Sequence, residues 1–403
     1  MGAGRARLLF HDMHGYTFVR DLASWLGRGG HDVTFVTCSS VETPNQRSTA
    51  EAPGVRTVRI GLDASFPKYD PAHRLRAEID YGRRVSAAVR LVRPDVVFSS
   101  NAPLLSQAIL QADCRRLGAS FVFWVQDLYG PAARQVLADR LPAALASVGA
   151  APFLALERRV LRRSDRVVAI GRTLARAVVA AGVPAGSVEV IPNWTDPSAV
   201  RPGDTDTAWR AEHGLSGRTT FLYSGTLGKK HPHGALLELS RNLPDGAWAV
   251  VVSEGLGADW LASHRSPADP LTLLPYQAED RLPEVLASAD VLVLVLGRDA
   301  SRYSLPSKLY TYACAGRPIL AVVPGGSEAA RLVEEAGFGL VVDVDDQGGT
   351  AAAARTLAGD PQLRGKLGAE GRAWALRTMD PARITDRFEA LVTRLLAGRG
   401  GGP

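Results

Sequence analysis

Strand-like apolar runs alternate with helical patterns along nearly all of this 403-residue chain, and this alternation restricts the fold more than any other feature. Residues 291–296 are continuously apolar, for example, and residues 307–315 then carry apolar side chains at helical spacing. A strand that is apolar on both faces is typical of a parallel sheet covered by helices on both sides. The sequence therefore predicts an α/β protein with doubly wound parallel sheets.

Proline-rich sequence interrupts the alternation between residues 192 and 203, and strands and helices then begin to alternate again. A chain of this length exceeds one typical core. We therefore predict two Rossmann-like domains, over residues 1–195 and 196–381, that face a ligand-binding cleft with their sheet edges. The predicted strands cover residues 7–10, 32–37, 55–60, 95–98, 120–125, 166–170, 187–191, 219–224, 248–252, 271–274, 291–296, 319–323 and 339–342.

The composition is that of a globular protein with an excess of basic residues. The formal net charge is +6, and no apolar run is long enough to span a membrane. This charge favours phosphorylated ligands or an anionic membrane over nucleic acid, because no stripe interleaves basic and aromatic residues. Cys38, Cys114 and Cys314 lie far apart in apolar contexts, which is typical of reduced core cysteines and predicts a cytoplasmic protein.

The loop after the first strand of the second domain has the composition of a phosphate cradle. Lysines stand in this loop directly before a predicted helix, after small and hydroxyl residues. The residues concerned are Ser224, Gly225, Thr226, Lys229 and Lys230. Free N–H groups at a helix start, together with lysine side chains, suit a diphosphate. The spacing is neither that of a Walker loop nor that of the dinucleotide fingerprint.

Residues 304–318 offer similar chemistry at the same predicted sheet edge. Ser304 is placed to cap the predicted helix, and Ser307 and Lys308 lie on its first turn. Such a helix start suits a phosphate, although an ordinary capped helix with a solvated Lys308 explains these residues equally well. Two loops of this kind at one edge favour a diphosphate site.

Polar side chains also follow two strands of the first domain. The loop after its first strand contains Gly15, which permits close approach of a ligand to the backbone. Its candidate residues for contacting a sugar or an acceptor hydroxyl are His11, His14 and Tyr16. Asp127 follows the fifth strand and is a further candidate for contacting a hydroxyl group. For both loops the alternative is that their acids cap the following helices.

Five motifs occur in a fixed order along the chain: GHDV at residues 30–33, IPNWTD at 191–196, YSGTLGKK at 223–230, LPEVLASAD at 282–290, and PSK at 306–308 with AGRP at 315–318. With this set, nearly the whole chain resembles a GT-B glycosyltransferase of the retaining, glycogen-synthase-like family four, especially its bacterial polysaccharide and glycolipid branch. The resemblance implies an acceptor-binding first domain and a nucleotide-sugar-binding second domain. It also implies a last helix, near residues 382–398, that crosses back onto the first domain.

The resemblance further implies roles for single residues. Lys230 corresponds to the family's lysine that holds the donor diphosphate, whereas Thr226 stands where many relatives have arginine. The backbone near Tyr276 corresponds to the part that holds the base. Residues 304–308 correspond to the segment that touches the sugar and the phosphates.

The chain departs from the family at two carboxylates. The family's paired glutamates, of which the second is a ribose ligand, correspond to Tyr303 and Thr311 in this sequence. A branch of relatives with the Pro-Ser-Lys motif departs in the same way. The resemblance therefore still implies activity, with Thr311 at the position of the ribose contact.

The activity so implied is transfer of a sugar, most simply from a UDP-sugar, to an acceptor hydroxyl with retention and with neither a metal nor another cofactor. Lys230 would stabilise the departing diphosphate, whose oxygen would take the acceptor's proton, and Asp127 would orient the acceptor or the sugar. Residues 204–206 and 343–346 are interpreted as solvated or capping acids, not metal ligands. The expected setting is the assembly of cell-surface polysaccharide, glycolipid or natural products.

Residues 131–163 are compatible with two kinds of acceptor. Residues 131–163 join apolar runs to the basic sequence ERRVLRR at 157–163. Such a segment suits an anionic bilayer at the inner face of the cell membrane, where it would collect a lipid-linked acceptor. A helix pair packed on the first domain, with its arginines in water, fits equally well, and a small soluble acceptor would then be expected.

Two functions of other classes also fit the architecture. A non-hydrolysing sugar-nucleotide epimerase shares it but requires paired carboxylates and a histidine for proton transfer, and the second domain offers no obvious set. A catalytically silent nucleotide-sugar-binding protein fits the missing glutamate pair. Turnover distinguishes this binding protein from a transferase.

Overall fold

The structure is a computed structural model that describes residues 5–41, 53–63, 66, 71–138 and 141–398. The chain forms two compact units. The first comprises Met1–Pro192 together with Pro381–Pro403, and the second comprises Asn193–Asp380.

The first unit is built on a seven-stranded parallel sheet with the order β3-β2-β1-β4-β5-β6-β7. Its strands are β1 (Arg7–Asp12), β2 (Asp32–Cys38), β3 (Val55–Ile60), β4 (Val96–Ser100), β5 (Ser120–Val125), β6 (Arg166–Ala169) and β7 (Val188–Val190). The helices between them are α1 (Thr17–Arg28), α2 (Pro71–Val92), α3 (Leu104–Arg116), α4 (Tyr129–Ala138), α5 (Ala143–Arg163) and α6 (Arg172–Ala180).

The second unit is built on a six-stranded parallel sheet with the order β10-β9-β8-β11-β12-β13. Its helices begin with α7 (Ala208–Glu212). Its strands are β8 (Thr219–Ser224), β9 (Ala247–Val252), β10 (Leu271–Leu274), β11 (Val291–Val295), β12 (Ile319–Val322) and β13 (Gly339–Val342). The remaining helices are α8 (His233–Arg241), α9 (Leu256–His264), α10 (Leu282–Ala287), α11 (Lys308–Cys314), α12 (Glu328–Ala336), α13 (Gln347–Gly359) and α14 (Pro361–Thr378).

The last helix, α15 (Pro381–Ala397), belongs to the first unit. Its apolar residues recur at helical spacing, and Phe388 packs against Phe98 and Trp124 with ring centroids 5.7 and 5.1 Å apart. His31 adds a polar contact, because its Nε2 donates to Glu389 at 2.9 Å while its Nδ1 accepts the N–H of Ala6 at 3.2 Å. The helix is therefore held by both apolar packing and the hydrogen bonds of His31.

The predicted α/β architecture with two doubly wound parallel sheets is confirmed. Each predicted strand is present, and its ends lie within about two residues of those predicted. In each sheet the strand order reverses beside the first strand, between β1 and β4 and between β8 and β11. Loops that follow strands at such a switch point are the usual place for ligands.

The predicted buried thiols are also confirmed, because Cys38, Cys114 and Cys314 are free and buried. Across the described ranges, no helix combines the length and apolar character needed to cross a membrane.

Candidate active site

The switch point of the second unit brings its two predicted anion-binding loops together. Strands β8 and β11 pair directly, with Phe221 opposite Val291. Beyond the strand ends, the N–H of Gly297 donates to the carbonyl of Lys230 at 2.9 Å and so ties one loop to the other. Lys230 and Lys308, one from each loop, consequently emerge at one edge of one sheet. We call these two lysines and the residues that they contact the lysine cluster.

Gly225 makes room for Lys308 in this cluster. Its φ of +119° lies in the region that favours glycine, and a Cβ at this position would lie 2.7 Å from Lys308 Cε. The Lys308 ammonium passes over the glycine and donates to Tyr223 Oη at 2.9 Å and to the carbonyl of Thr226 at 3.1 Å. It also lies 4.5 Å from the centroid of the Tyr223 ring. These partners of the ammonium carry no negative charge.

Lys230 reaches the same cluster from the other side of the loop. Its Nζ donates to Ser304 Oγ at 2.8 Å, and Ser304 is buried. The predicted helix cap at Ser304 is therefore wrong, because α11 begins four residues later and its N-cap, Ser307, makes no side-chain capping bond. A helix of only seven residues contributes a weak terminal field, so the positive charge here comes mainly from lysine side chains.

The electrostatics of the cluster follow from burial and crowding of basic groups. Burial, and secondarily Lys230, lower the pKa of Lys308 to about 7. The same lysines add to burial in holding the pKa of His231 well below its ordinary value. His231 Nδ1 lies 3.0 Å from the N–H of Gly228 and accepts from it, which agrees with a neutral ring. An anion placed among these groups would gain from both lysines.

The other predicted donor residues in the second unit differ in their contacts. Tyr276 Oη donates to Thr226 Oγ1 at 3.2 Å, and the Tyr276 backbone N–H is held by Glu254 Oε1 at 3.0 Å. The N–H of Ser224 donates to Tyr312 Oη at 2.9 Å. Thr311 Oγ1 lies 2.7 Å from Thr195 Oγ1, and Lys229 is exposed.

In the first unit, the loop after β1 is organised around the buried carboxylate of Asp12. Its oxygens accept the N–H groups of His14 and Tyr16 at 2.9 and 3.3 Å and the amide of Asn101 at 3.0 Å. Gly15 in this loop has a φ of +67°. His14 Nδ1 lies 3.1 Å from the carbonyl of Asn101, and its ring is partly exposed, as is that of Tyr16.

His11 does not lie where an acceptor could reach it. Its ring is fully buried, with Nδ1 2.7 Å from Ser99 Oγ and Nε2 3.0 Å from Tyr81 Oη. Burial lowers the pKa of His11 to about 3, so the ring is neutral at physiological pH. Because both nitrogens already have hydrogen-bond partners, this geometry argues against the predicted acceptor contact and gives His11 a structural role.

Asp127 is partly exposed in the turn that joins β5 to α4. The N-terminus of α4 is capped by another residue, Glu157 of α5, whose oxygens accept the N–H groups of Tyr129 at 2.6 Å and Gly130 at 3.1 Å. A Cβ at Gly130 would lie 2.8 Å from Glu157 Oε2, so only glycine fits. Burial raises the pKa of Glu157 to about 7. Sequence analysis missed this residue, because a cap that comes from a distant helix leaves no local signal.

The acids interpreted as capping residues do hold backbone groups. Asp346 accepts the N–H of Gly349 at 2.8 Å, and Asp343 accepts that of Gly325 at 2.8 Å. Asp343 and Asp345 also pair with Arg298. Within the part of the chain that the structure describes, no group of three or more histidine, cysteine or acidic residues is arranged to hold a metal ion.

Comparisons with known proteins show which proteins this chain resembles. Residues 16–194 match the model of the Glycosyl transferase 4-like domain. A probable glycosyltransferase of Pseudomonas aeruginosa, WbjE, is 26% identical over 276 residues, which cover 63% of this chain and 64% of the relative. The matched regions span between half and about two thirds of the length of the curated relatives.

Solved structures match over almost the whole chain. Sucrose-phosphate synthase from Thermosynechococcus elongatus superimposes with a TM-score of 0.76 at 18% identity, covering 98% of this chain and all of that one. Anabaena Alr3699/HepE, in complex with UDP and glucose, gives a TM-score of 0.72 at 14% identity and covers 97% of this chain and 100% of its own.

The chain has the GT-B glycosyltransferase fold. Within this GT-B protein, the structure brings most of the predicted donor residues together in one unit. Gly15, also predicted to contact the donor, lies in the other unit with the predicted acceptor residues. Tyr223, His231 and Glu254 also lie beside the predicted donor residues of the second unit, although the sequence analysis did not name them as site residues. They do so because β8, β9 and the loop after β8 bring them to the same sheet edge.

Proposed function

We propose that this protein is a glycosyltransferase that moves a sugar from a nucleoside-diphosphate sugar to an acceptor hydroxyl. The similarity of its first unit to the Glycosyl transferase 4-like domain and its GT-B fold support this activity. The UDP bound to Anabaena Alr3699/HepE makes a UDP-sugar the first donor to test. The proposed acceptor is a lipid-linked or small-molecule hydroxyl used in polysaccharide, glycolipid or natural-product assembly, on the cytoplasmic side of the cell.

The observation that carries the proposal is the lysine cluster of the second unit. Lys308 donates only to neutral oxygens. It also lies close enough to Lys230 for the charge of Lys230 to contribute to the lowered pKa of Lys308. Two crowded cations favour an anion between them, and a diphosphate has the charge and the length to contact both. The hydroxyl groups of Ser304, Thr226 and Tyr276 then supply neutral donors beside the phosphates.

The proposed chemistry follows from charge. As the glycosidic bond to the diphosphate breaks, negative charge grows on the leaving phosphate, and Lys230 and Lys308 stabilise it without a metal ion. The acceptor oxygen forms the new bond on the face that the diphosphate leaves, and its proton passes to the leaving phosphate oxygen. The configuration of the sugar is retained, and no enzyme nucleophile is required. Asp127 orients the acceptor or the sugar, so Asp127→Ala should slow turnover, and unchanged turnover would remove this role.

The decisive experiment is thermal stabilisation of the protein by a panel of nucleoside diphosphates, with and without magnesium. A ligand present at about 100 times its Kd and bound only by the native state adds about 2.7 kcal/mol. We expect UDP to stabilise the wild type independently of magnesium. Lys308→Ala and Lys230→Ala should abolish the effect, while the exposed Lys366→Ala should keep it.

Stabilisation by no nucleotide, or equal stabilisation of all three variants, would overturn the donor site. Turnover then separates the proposed reaction from its alternatives. Incubation with a UDP-sugar and candidate acceptors should release UDP and extend the acceptor. Formation of an epimeric nucleotide sugar would identify an epimerase, and binding without any turnover would identify a silent binding protein.

A further inference from the structure

An open groove lies on the first unit between α3 and α5. Gln111 of α3 holds the two helices side by side, because its Nε2 donates to the carbonyl of Val160 at 2.9 Å and to Ser164 Oγ at 3.1 Å. The groove has a volume of about 350 Å³. Its apolar lining includes Leu105 and Ile109 of α3 and Leu156 of α5.

Helix α5 extends this apolar surface along one side. Leu145, Val148, Pro152, Leu156, Arg159 and Arg163 follow one another at intervals of three or four residues, so they form a single stripe. The first part of the stripe is apolar and unusually exposed, with Leu145 58% and Val148 72% accessible. The last part is basic. We call the groove and this stripe together the α3/α5 face.

The charged residues that line the groove are of one sign. Arg115, Arg159 and Arg163 line the groove. Residues 104–116 and 141–163, all of which the structure describes, contain only two carboxylates, and both are buried. Asp113 pairs with Arg90 and Arg116, and Glu157 caps α4. A ligand of this face therefore meets arginines, and neither α3 nor α5 places an exposed acid beside them.

We propose that the α3/α5 face binds an anionic membrane surface. A 21-residue helix that is apolar in its first half and basic in its second can lie in the plane of a bilayer. The exposed leucine and valine then enter the boundary of the acyl chains, while the arginines reach lipid phosphates. Five of the eleven exposed large apolar side chains in the described residues fall between positions 136 and 153, and two of them, Leu145 and Val148, lie on the stripe.

Flotation of the full-length protein with lipid vesicles tests the proposal. The protein should float with vesicles in which roughly one third of the phosphatidylcholine is replaced by phosphatidylglycerol, and it should stay behind with phosphatidylcholine alone. Salt should weaken the binding, because it screens the arginines. Arg159→Glu with Arg163→Glu should lower the partition coefficient at least about tenfold. Leu145→Gln with Val148→Gln should lower it as well, since these residues supply the apolar contact.

The control is Arg355→Glu with Arg377→Glu, which makes the same change of charge at exposed helical positions of the second unit. It should bind vesicles like the wild type, and circular dichroism checks that each variant is folded. Equal loss in the control, equal binding to neutral vesicles, or no vesicle binding would overturn the proposal. A concentration-dependent dimer abolished by Leu145→Gln with Val148→Gln would instead show that a second copy covers this face.

Vesicle binding is a property separate from the transfer reaction, and it is measured without a sugar donor or an acceptor. Failure of vesicle binding would leave the nucleotide-induced stabilisation unchanged, whereas failure of that stabilisation would leave vesicle binding unchanged. The two proposals can therefore fail separately.

Discussion

The polar groups at the two switch points differ in whether other residues of the protein complete their hydrogen bonds and balance their charge. In the first unit, Asp12 is fully buried and accepts hydrogen bonds from two backbone N–H groups and one side-chain amide, and His11 is bonded through both ring nitrogens. In the second unit, Lys308 has two neutral partners and a second cation nearby. The first arrangement stabilises a loop, whereas the second leaves positive charge that an anion would balance.

The difference shows that a polar residue at a sheet edge is not by itself a ligand contact. Sequence analysis selected histidines and lysines on the same grounds, since each followed a strand of a parallel sheet. Burial and completed hydrogen bonding distinguish His11 from Lys308. The predictions below test this distinction, beginning with the largest expected effect.

Lys230→Ala should reduce kcat/KM of the transferase by about 10²- to 10³-fold, the loss typical of removing one group that stabilises charge in the transition state. The midpoint of thermal unfolding without ligand should change little, because Lys230 is partly exposed. Steady-state kinetics together with thermal unfolding measure both effects. Loss of stability equal to that of a core mutation would instead make Lys230 a structural residue.

Glu157→Gln tests whether the buried, hydrogen-bonded carboxyl group of Glu157 makes the stability of the protein depend on pH. Because the pKa of Glu157 is raised to about 7 by burial, its contribution to stability is fully present below its ordinary pKa of 4.5 and is lost as pH rises through 7. The wild type should therefore lose stability relative to the variant between those values, by on the order of 3 kcal/mol at most. Denaturant unfolding at several pH values measures the difference, and parallel curves would contradict the raised pKa.

Gly225→Ala should weaken donor binding by about tenfold or more, because the new Cβ would lie within 2.7 Å of Lys308 Cε and would also strain a backbone with positive φ. Titration calorimetry with UDP measures the change. Gly228→Ala in the same loop is a matched control, since no atom lies within 4 Å of its added Cβ. Equal effects of the two substitutions would show that Lys308 does not depend on the space at Gly225.

Donor binding should take up a proton at Lys308 when the pH is above 7. The Lys308 ammonium has a pKa of about 7 in the free protein, and a bound diphosphate raises this pKa. The affinity for the donor should therefore fall as pH rises from 7 towards 9. Below pH 7, titration of Lys308 should not change the affinity. Calorimetry in two buffers with different ionisation enthalpies detects the proton. Lys308→Arg, which stays charged, should remove this dependence on pH, and an unchanged profile would exclude Lys308 as its source.

Much of the fold could be predicted from the sequence, because its signals are local. The continuous apolar run of β11 and the stop of α11 before Gly316, whose φ is +66°, are each set by neighbouring residues. The site was predictable only in part. Lys230 and Lys308 were named from composition and resemblance, but their shared surroundings, including Tyr223 and His231, depend on the pairing of β8 with β11.

The sequence by itself determined the alternation of strands and helices, the basic charge and the positions of the lysine-bearing loops, because patterning and composition do not depend on distant contacts. Only the tertiary structure decided which polar residues are already satisfied. Glu157 became the cap of α4 and Ser304 a partner of Lys230 through contacts between residues 28 and 74 positions apart. Burial and hydrogen bonding are properties of the packed chain, so the same residue types became scaffold in one unit and candidate ligand contacts in the other.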